Sequence, residues 1–345
     1  MAEGEGWGVR GPETSPGMKR RPDRHPSART VLTARSPDDL VAVASVVLGF
    51  WPEESIVMLT FDAVRPFHAR VDLPGPADPP EAAREVAAML VAPAVRHGVG
   101  RVVLLVYSDD AERAATAHGA LAEAFAGAGI DVVEALRVGG DRWFPLDAGP
   151  AHAGAPYDVS DHPFVVQSVV EGRVTHASRG ALARTLDTDP RGLARVRARL
   201  ASLREADDVV AESAWAAGVV VAHLDAGTAA PDDEAARLLV GLGAVPVRDA
   251  VWSVLTRERA REAVELLADL VRRAPDEHRA PVAALLAWAA WQSGDGALAW
   301  CAVDRARAVE PGHGLAGLVA EALTHAVPPS ATDPDPGRRA GRDAG

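Results

Sequence analysis

"RVVLLVY", residues 101–107, decides the fold. Val102 to Val106 are apolar without interruption, so neither side of an extended segment here is polar. A strand with two apolar faces must be covered on both. This predicts a central strand in a layered α/β domain. Downstream, a helix through Leu121 and Phe125 stops near Gly127 and Gly129, and "IDVVEALRV" reads as the next strand. Strand, helix and strand with such short links imply a right-handed parallel crossover. "GGDRWFPL" then turns into a short edge strand. Upstream, residues 80–97 read as a helix with Ala83, Val86, Ala87 and Leu90 on one face. Before it, "SIVMLTF" and "FHARVDL" read as strands, the second alternating Phe67, Ala69, Val71 and Leu73. The short link around Asp62 and Pro66 makes them a hairpin.

The stretch "SPDDLVAVASVVLGFWPEES", residues 36–55, leads into the first strand. Ser36 is a helix N-cap, Pro37 takes the first helical position, and Asp38 and Asp39 face the positive end of the dipole. Leu40, Val43, Ala44 and Val47 follow at helical spacing. Gly49 ends the helix and Pro52 enforces a corner.

After residue 185 strand signals stop. Asp189 and Pro190 open a helix with Leu193, Val196, Leu200 and Leu203 on one face. Further helices are expected at 206–224, 232–242, 248–273, 279–292 and 296–309. Ala263, Leu267, Leu270 and Pro275 recur 36 positions later as Ala299, Val303, Ala306 and Pro311. With the turn "SGDGALAW", this suggests a tetratricopeptide-like helix pair within 257–311, too few repeats for a free-standing solenoid. The expected organisation is a flexible arm over 1–29, an α/β domain over 30–185 with a mixed sheet and parallel crossover units, an all-α domain over 186–327, and a second flexible tail over 328–345.

Composition excludes several function classes. A formal charge of −12 gives no basic field to hold a phosphate backbone, so nucleic acid is not an expected partner. Lys19 is the only lysine and lies in the arm, which removes P-loop, Schiff-base and kinase-type lysine chemistry. Cys301 is the only cysteine, so no intrachain disulfide or multi-cysteine metal site exists. The first 30 residues lack an apolar core, and the longest apolar run, Leu40–Trp51, falls short of the ~20 residues of a spanning helix. The expectation is a cytoplasmic protein without a membrane segment.

The blocks "ARSPDDLVAVASVVLGFWPEESIVML", "ARVDLP", "VVLLVYSD", "LRVGGDRWF", "PYDVSDHPFVVQSVVEGR", "SRGALARTL" and "LLAWAAWQSGDGALAWCAVDRARAVEP" occur in that order. Together they resemble the uncharacterised actinobacterial proteins grouped as domain of unknown function 4192. The resemblance implies no activity, cofactor or catalytic residue. Members often carry adjacent cysteines after the GRW-type element, whereas "PLDAGPAHAGAPYD" here has none.

Ligands of open α/β sheets bind outside the carboxyl ends of the strands. Those ends supply Asp62, then Ser108, Asp109 and Asp110, then Gly139, Gly140, Asp141 and Arg142. Asp62, Asp109, Asp141 and Arg142 are therefore the candidate site: carboxylates to hold Mg²⁺ or orient a water, glycines to admit a ligand to the backbone. The competing reading makes Ser108 or Asp109 a helix cap and "GGDR" a tight turn. His152, His162 and His176, with Asp158 and Asp161, match no metal signature. No serine sits in a nucleophile elbow, Ser55 has no nearby base, and no G-x-G-x-x-G follows a strand. Cys301 lies among apolar neighbours and reads as core. Trp252, Trp288, Trp291 and Trp300 read as core or, if exposed, as a groove for a protein partner. Function is expected to be that of a protein-interaction or regulatory module working through the helical domain, with an enzyme or small-ligand binder as the alternative. Arg35, Ser36 and Glu54 are the polar groups of the leading elbow that could carry a role beyond folding.

Overall fold

The computed structural model describes residues 34–61, 63, 67–79, 81–148, 152–203 and 208–332. The expected arm over 1–29, and residues 333–345 of the expected tail, lie outside them. Six strands form one mixed sheet: β1 (Ser55–Phe61), β2 (His68–Asp72), β3 (Arg101–Tyr107), β4 (Asp131–Gly139), β5 (Arg142–Pro145) and β6 (Ala155–Pro156), in the order β2-β1-β3-β4-β5-β6. Only β3 and β4 run parallel, joined by a helical crossover; every other neighbouring pair is antiparallel. β6 lies outside β5, so "RWFP" is not the edge strand that its sequence suggests.

Both faces of β3 are covered. Val102, Leu104 and Val106 join Ile56 and Met58 under α2 (Glu81–Arg96) and α3 (Ala111–Gly127), against Leu90, Leu121 and Phe125. Val103, Leu105 and Tyr107 join Val57, Leu59 and Leu136 under α1 (Pro37–Leu48), against Leu40 and Val41. Each such buried Val or Leu contributes about 1.5–3 kcal/mol, so the double cover of β3 is the main stabilising feature of this half.

The start of α1 is an anchor as well as a cap. Ser36 Oγ accepts the Asp39 N–H at 3.2 Å, and the Asp39 carboxylate accepts the Ser36 N–H at 3.0 Å. Asp38 accepts the Trp143 indole N–H from β5 at 2.9 Å, and Asp39 meets His162 Nε2 at 2.9 Å. His162 Nδ1 accepts the Phe164 N–H at 3.3 Å, so Nε2 carries the proton and donates to Asp39. His162 thereby caps α4 (Pro163–Val170), which is followed by the short helix α5 (Arg179–Arg184).

Gly49 ends α1 with φ 71°, as its sequence position requires. The next residue, Phe50, is buried in the core of the helical layer with Leu182, Leu186 and Ala299. Two backbone bonds hold it there: His176 N–H to Gly49 O at 2.8 Å and Trp51 N–H to His176 O at 3.0 Å. The corner is thus a plug joining sheet and helices.

The helical layer contains α6 (Pro190–Leu200), α7 (Val209–Ala226), α8 (Asp232–Gly241), α9 (Val245–Val254), α10 (Ala260–Arg273), α11 (Asp276–Ser293), α12 (Gly296–Val309) and α13 (Gly314–Thr324). α11 is its hub, packed on α10, α12 and α13. The single helix expected over 248–273 is two: α9 ends at Val254 and a 3-10 turn over Arg257–Arg259 leads into α10. The expected tail is packed from its start, since Pro329–Thr332 forms a 3-10 turn and Gln292 donates to Thr332 at 2.7 Å. α7 is, among the described residues, the one helix long and apolar enough to cross a membrane. Its Ala216, Val220 and Leu224 lie in the helical core, and its Glu212 is ion-paired with Arg237 at 2.6 Å.

Two stability outcomes follow from these anchors. Burial pushes the Asp39 carboxyl up, but the hydrogen bonds from Arg35, His162 and Ser36 outweigh it and hold it below its ordinary value. A depressed carboxyl stabilises the fold above its unfolded value of about 3.9, and that stability is lost as pH falls through the folded one. Asp39→Asn will therefore cost about 1–2 kcal/mol in urea unfolding at pH 7, and the gap to the parent will close as pH drops below that value. Phe50→Ala will cost about 3–5 kcal/mol in the same measurement, because the plug leaves a cavity the helices cannot fill.

Candidate functional site

Because β1 is antiparallel to β3, its amino end joins the carboxyl ends of β2, β3 and β4. Ser55 stands opposite both Asp72 and Tyr107, and Tyr107 lies beside Val138. The other end of β1 lies across the sheet, where Phe61 pairs with Arg101. Asp62 is outside the described residues, and the strand end it follows is at the far edge from Asp109 and Asp141. The antiparallel pairing thus brings residues preceding β1 to the site end.

The chief of these is Glu54, which adopts φ 40°, a left-handed conformation uncommon for a side-chain-bearing residue. Its carbonyl accepts the Leu73 N–H at 2.9 Å. Its carboxylate is ion-paired with Arg113 and accepts the Ser108 hydroxyl at 3.1 Å. Neither Ser108 nor Asp109 caps α3. That role falls to Asp110, whose Oδ1 accepts the Glu112 and Arg113 N–H groups at 3.0 Å each. Ser108 Oγ accepts the Asp110 N–H at 3.2 Å instead. Beside this network, Leu73, Pro74, Asp78, Ala83, Arg113 and Thr116 line a cleft of about 340 Å³ between the first turns of α2 and α3.

Around the β4–β5 turn the chain is tightly packed. A Cβ on Gly139 would stand 2.7 Å from Ser108 O, 2.8 Å from Arg137 Nη1 and 3.0 Å from Asp109 Oδ1, so only glycine fits. Gly140 completes the turn with φ 57°. Arg142 donates to Ala153 O at 3.2 Å and Gly154 O at 2.8 Å, so its guanidinium holds the following loop. Arg137 donates to Ser108 O at 3.2 Å and lies 3.8 Å over the Phe144 ring. Among the described residues, the Asp109 and Asp141 carboxylates have no hydrogen-bond or ion-pair partner.

Tyr157 is seated on the same turn. Its N–H donates to Asp141 O at 3.0 Å and its hydroxyl to Gly140 O at 3.4 Å. Burial, then the charges of Asp141 and Asp109, push its phenol above the ordinary value. Burial raises the Tyr107 phenol as well, with Tyr157 the second cause. Among the described residues, the Tyr107 hydroxyl is buried without a hydrogen-bond partner, as is Ser55 Oγ across the β1–β3 pair. The structure therefore sets the Asp109 carboxylate against Gly139, at the start of the β4–β5 turn that carries Asp141, gives Arg142 a bracing role, and adds Tyr157 on that turn and Tyr107 opposite Val138. Sequence patterning hides both tyrosines, one in an apolar strand and one in a loop. The available signal was that the chain holds only two tyrosines, one ending β3 and one just past β6.

The remaining candidates have local roles. His152 accepts the Gly154 N–H at 3.0 Å, His162 caps α4, and His176 bridges to the corner around Phe50. Among the described residues no group of three His, Cys, Asp or Glu could hold a metal ion. Cys301 is buried, and burial pushes its thiol up, which suits a packed side chain rather than a nucleophile. Trp252, Trp288 and Trp291 stack edge to face at 5.0 and 5.1 Å. The Trp288 and Trp291 indoles donate to Leu255 O and Val327 O at 3.4 and 3.1 Å, so these rings knit the helices together. The apolar surface lies elsewhere: on α4, Val166, Val169 and Val170 are 48%, 63% and 75% exposed, and Val174 just beyond is 69% exposed.

Neither the curated proteins nor the solved structures contain a match to this chain. A family model does match, from the first residue of α1 to the 3-10 turn after α13, so the sheet, the corner and the helical layer recur as one unit. The chain belongs to the family described as Domain of unknown function (DUF4192), over residues 37–330.

Proposed function

We propose that the chain is a cytoplasmic protein-interaction module, and that its docking face is the valine face of α4 rather than the tryptophans of the helical layer. One observation carries this reading: Val166, Val169 and Val170 stand at i, i+3 and i+4 on a helix whose opposite side, through Phe164 and Val165, packs in the core under the sheet. Isolated exposed valines are ordinary, but a helical stripe of them is an apolar patch of the few-hundred-Å² class that marks interaction sites.

The occupant that fits is the α4 of a second copy. The stripe carries no charge that its own image would repel. At its rim Glu171 and Arg173, 3.5 Å apart, offer one charge of each sign to a two-fold partner. A patch this size buries less than the ~1,200 Å² of a stable interface, so the pairing is weak and concentration-dependent, as suits a regulatory contact. The tetratricopeptide-like reading of α10 to α12 belongs to the same proposal as a second surface. Its support is that Ala263, Leu267 and Leu270 and their counterparts Ala299, Val303 and Ala306 are all buried.

Sedimentation velocity over a concentration series tests the reading. The weight-average mass of the parent will rise from 36.0 kDa toward twice that value. The double variant Val169→Asp/Val170→Asp will stay monomeric with an unchanged melting temperature, since both side chains already face solvent. A parent that remains monomeric throughout the series overturns the proposal.

A further inference from the structure

The cleft between α2 and α3 is bordered by an ion pair that is only half made. We propose that this cleft seats a small zwitterion of the amino-acid type, whose carboxylate takes the place of Glu54 on Arg113 and Ser108 and whose ammonium group faces Asp78 and Glu112. This inference stands independently of the α4 reading.

The carboxylate end of the seat is already built, and Glu54 occupies it. Its carboxylate accepts the hydroxyl of Ser108, a residue only 4% exposed, and pairs with Arg113. The fit is incomplete. Arg113 gives Nη2 to Glu54, while its Nε is buried without a hydrogen-bond partner among the described residues. Arg237 shows a complete fork in the same chain, since its Nε and Nη2 both donate to Glu212, at 3.0 and 2.6 Å. A guanidinium holds a carboxylate best through two such bonds, and a buried donor left unmet is costly.

Glu54 falls short because its backbone is fixed. Its φ of 40° is shared, among the described non-glycine residues, only by the positive φ of Ala326, and its carbonyl is held by the Leu73 N–H at 2.9 Å. Strained backbone of this kind collects at ligand sites. A free carboxylate carries no such tether and can meet Nε and Nη2 together, and the Glu54 side chain, 54% exposed, has solvent to move into. Room for the rest of the ligand adjoins. Leu73 and Arg113, both bonded to Glu54, also line the cleft of about 340 Å³, with Pro74, Pro79 and Ala83 as apolar wall. Asp78 and Glu112 line it too. Asp78 Oδ2 accepts the Gly75 N–H at 2.7 Å, and the Glu112 carboxylate has no partner among the described residues. These acids repel a plain carboxylate, and a plain amine leaves Arg113 unmet. A zwitterion answers both signs of charge.

Saturation-transfer difference NMR on the full chain tests this with three probes of one apolar body: L-leucine, 4-methylpentanoate, which lacks the ammonium group, and 3-methylbutylamine, which lacks the carboxylate. Leucine will bind saturably, and each of the other two will bind at least about fivefold more weakly. Arg113→Gln will abolish the leucine signal. Glu54→Gln removes the competing charge from Arg113 and will tighten leucine binding by about fivefold or more. A damaged fold does not produce a gain in affinity, so the Glu54→Gln result decides the matter even where Arg113→Gln lowers the melting temperature. No saturable leucine signal, equal binding of either single-charge probe, or a leucine affinity that Glu54→Gln leaves unchanged or weakens overturns the proposal.

Discussion

Everything in the sheet depends on one constraint, that β3 has no polar face to give to solvent. Val102, Leu104 and Val106 force one layer of helices and Val103, Leu105 and Tyr107 force another. The second layer cannot come from the crossover, because a single right-handed β3–α3–β4 unit covers one face only. It comes from α1, which precedes the sheet in sequence. The chain must therefore leave α1, turn through Gly49 to Pro52 and enter the sheet beside β3. Entering immediately after that corner, β1 runs antiparallel to β3, which brings Glu54 to the end where Tyr107 and Gly139 lie.

The local elements were legible in sequence wherever a short-range pattern determines them. The Ser36 cap, the Gly49 stop, the alternation in β2 and the Asp189 cap each follow from a few adjacent residues, and the structure has them all. What was not legible depends on partners far along the chain. α4 has its cap only because His162 is locked by Asp39, more than a hundred residues earlier. The α9–α10 break at Leu255 and Thr256 leaves no Gly or Pro in sequence. Periodicity runs across it, and the bend lets Trp252 and Trp288 meet edge to face.

The same distinction separates the parts of the site. The positions of Asp109 and Asp141 at one end of the sheet were legible because both follow strands whose direction is fixed by the crossover. Asp62 followed a strand whose direction was set by the corner, and no local pattern encodes that. Arg142 has the right position and the wrong employment, since its donors brace the Ala153–Gly154 loop. Tyr107 was counted as one more apolar residue of β3. Its significance lies in a single hydroxyl without a partner, and satisfaction of a polar atom is a property of three-dimensional packing.

One segment runs from the β4–β5 turn to the valine face of α4. Tyr157 leaves β6, Val159 packs against the sheet, His162 caps α4, and the exposed valines begin four residues later. Besides the bonds of Tyr157 to the β4–β5 turn, the segment is tied to the first turn of α1: Asp39 holds His162, and Asp38 holds Trp143 in the strand beside β6. Two neighbouring carboxylates at a helix start thus fix both the strand beside β6 and the helix that carries the valine face.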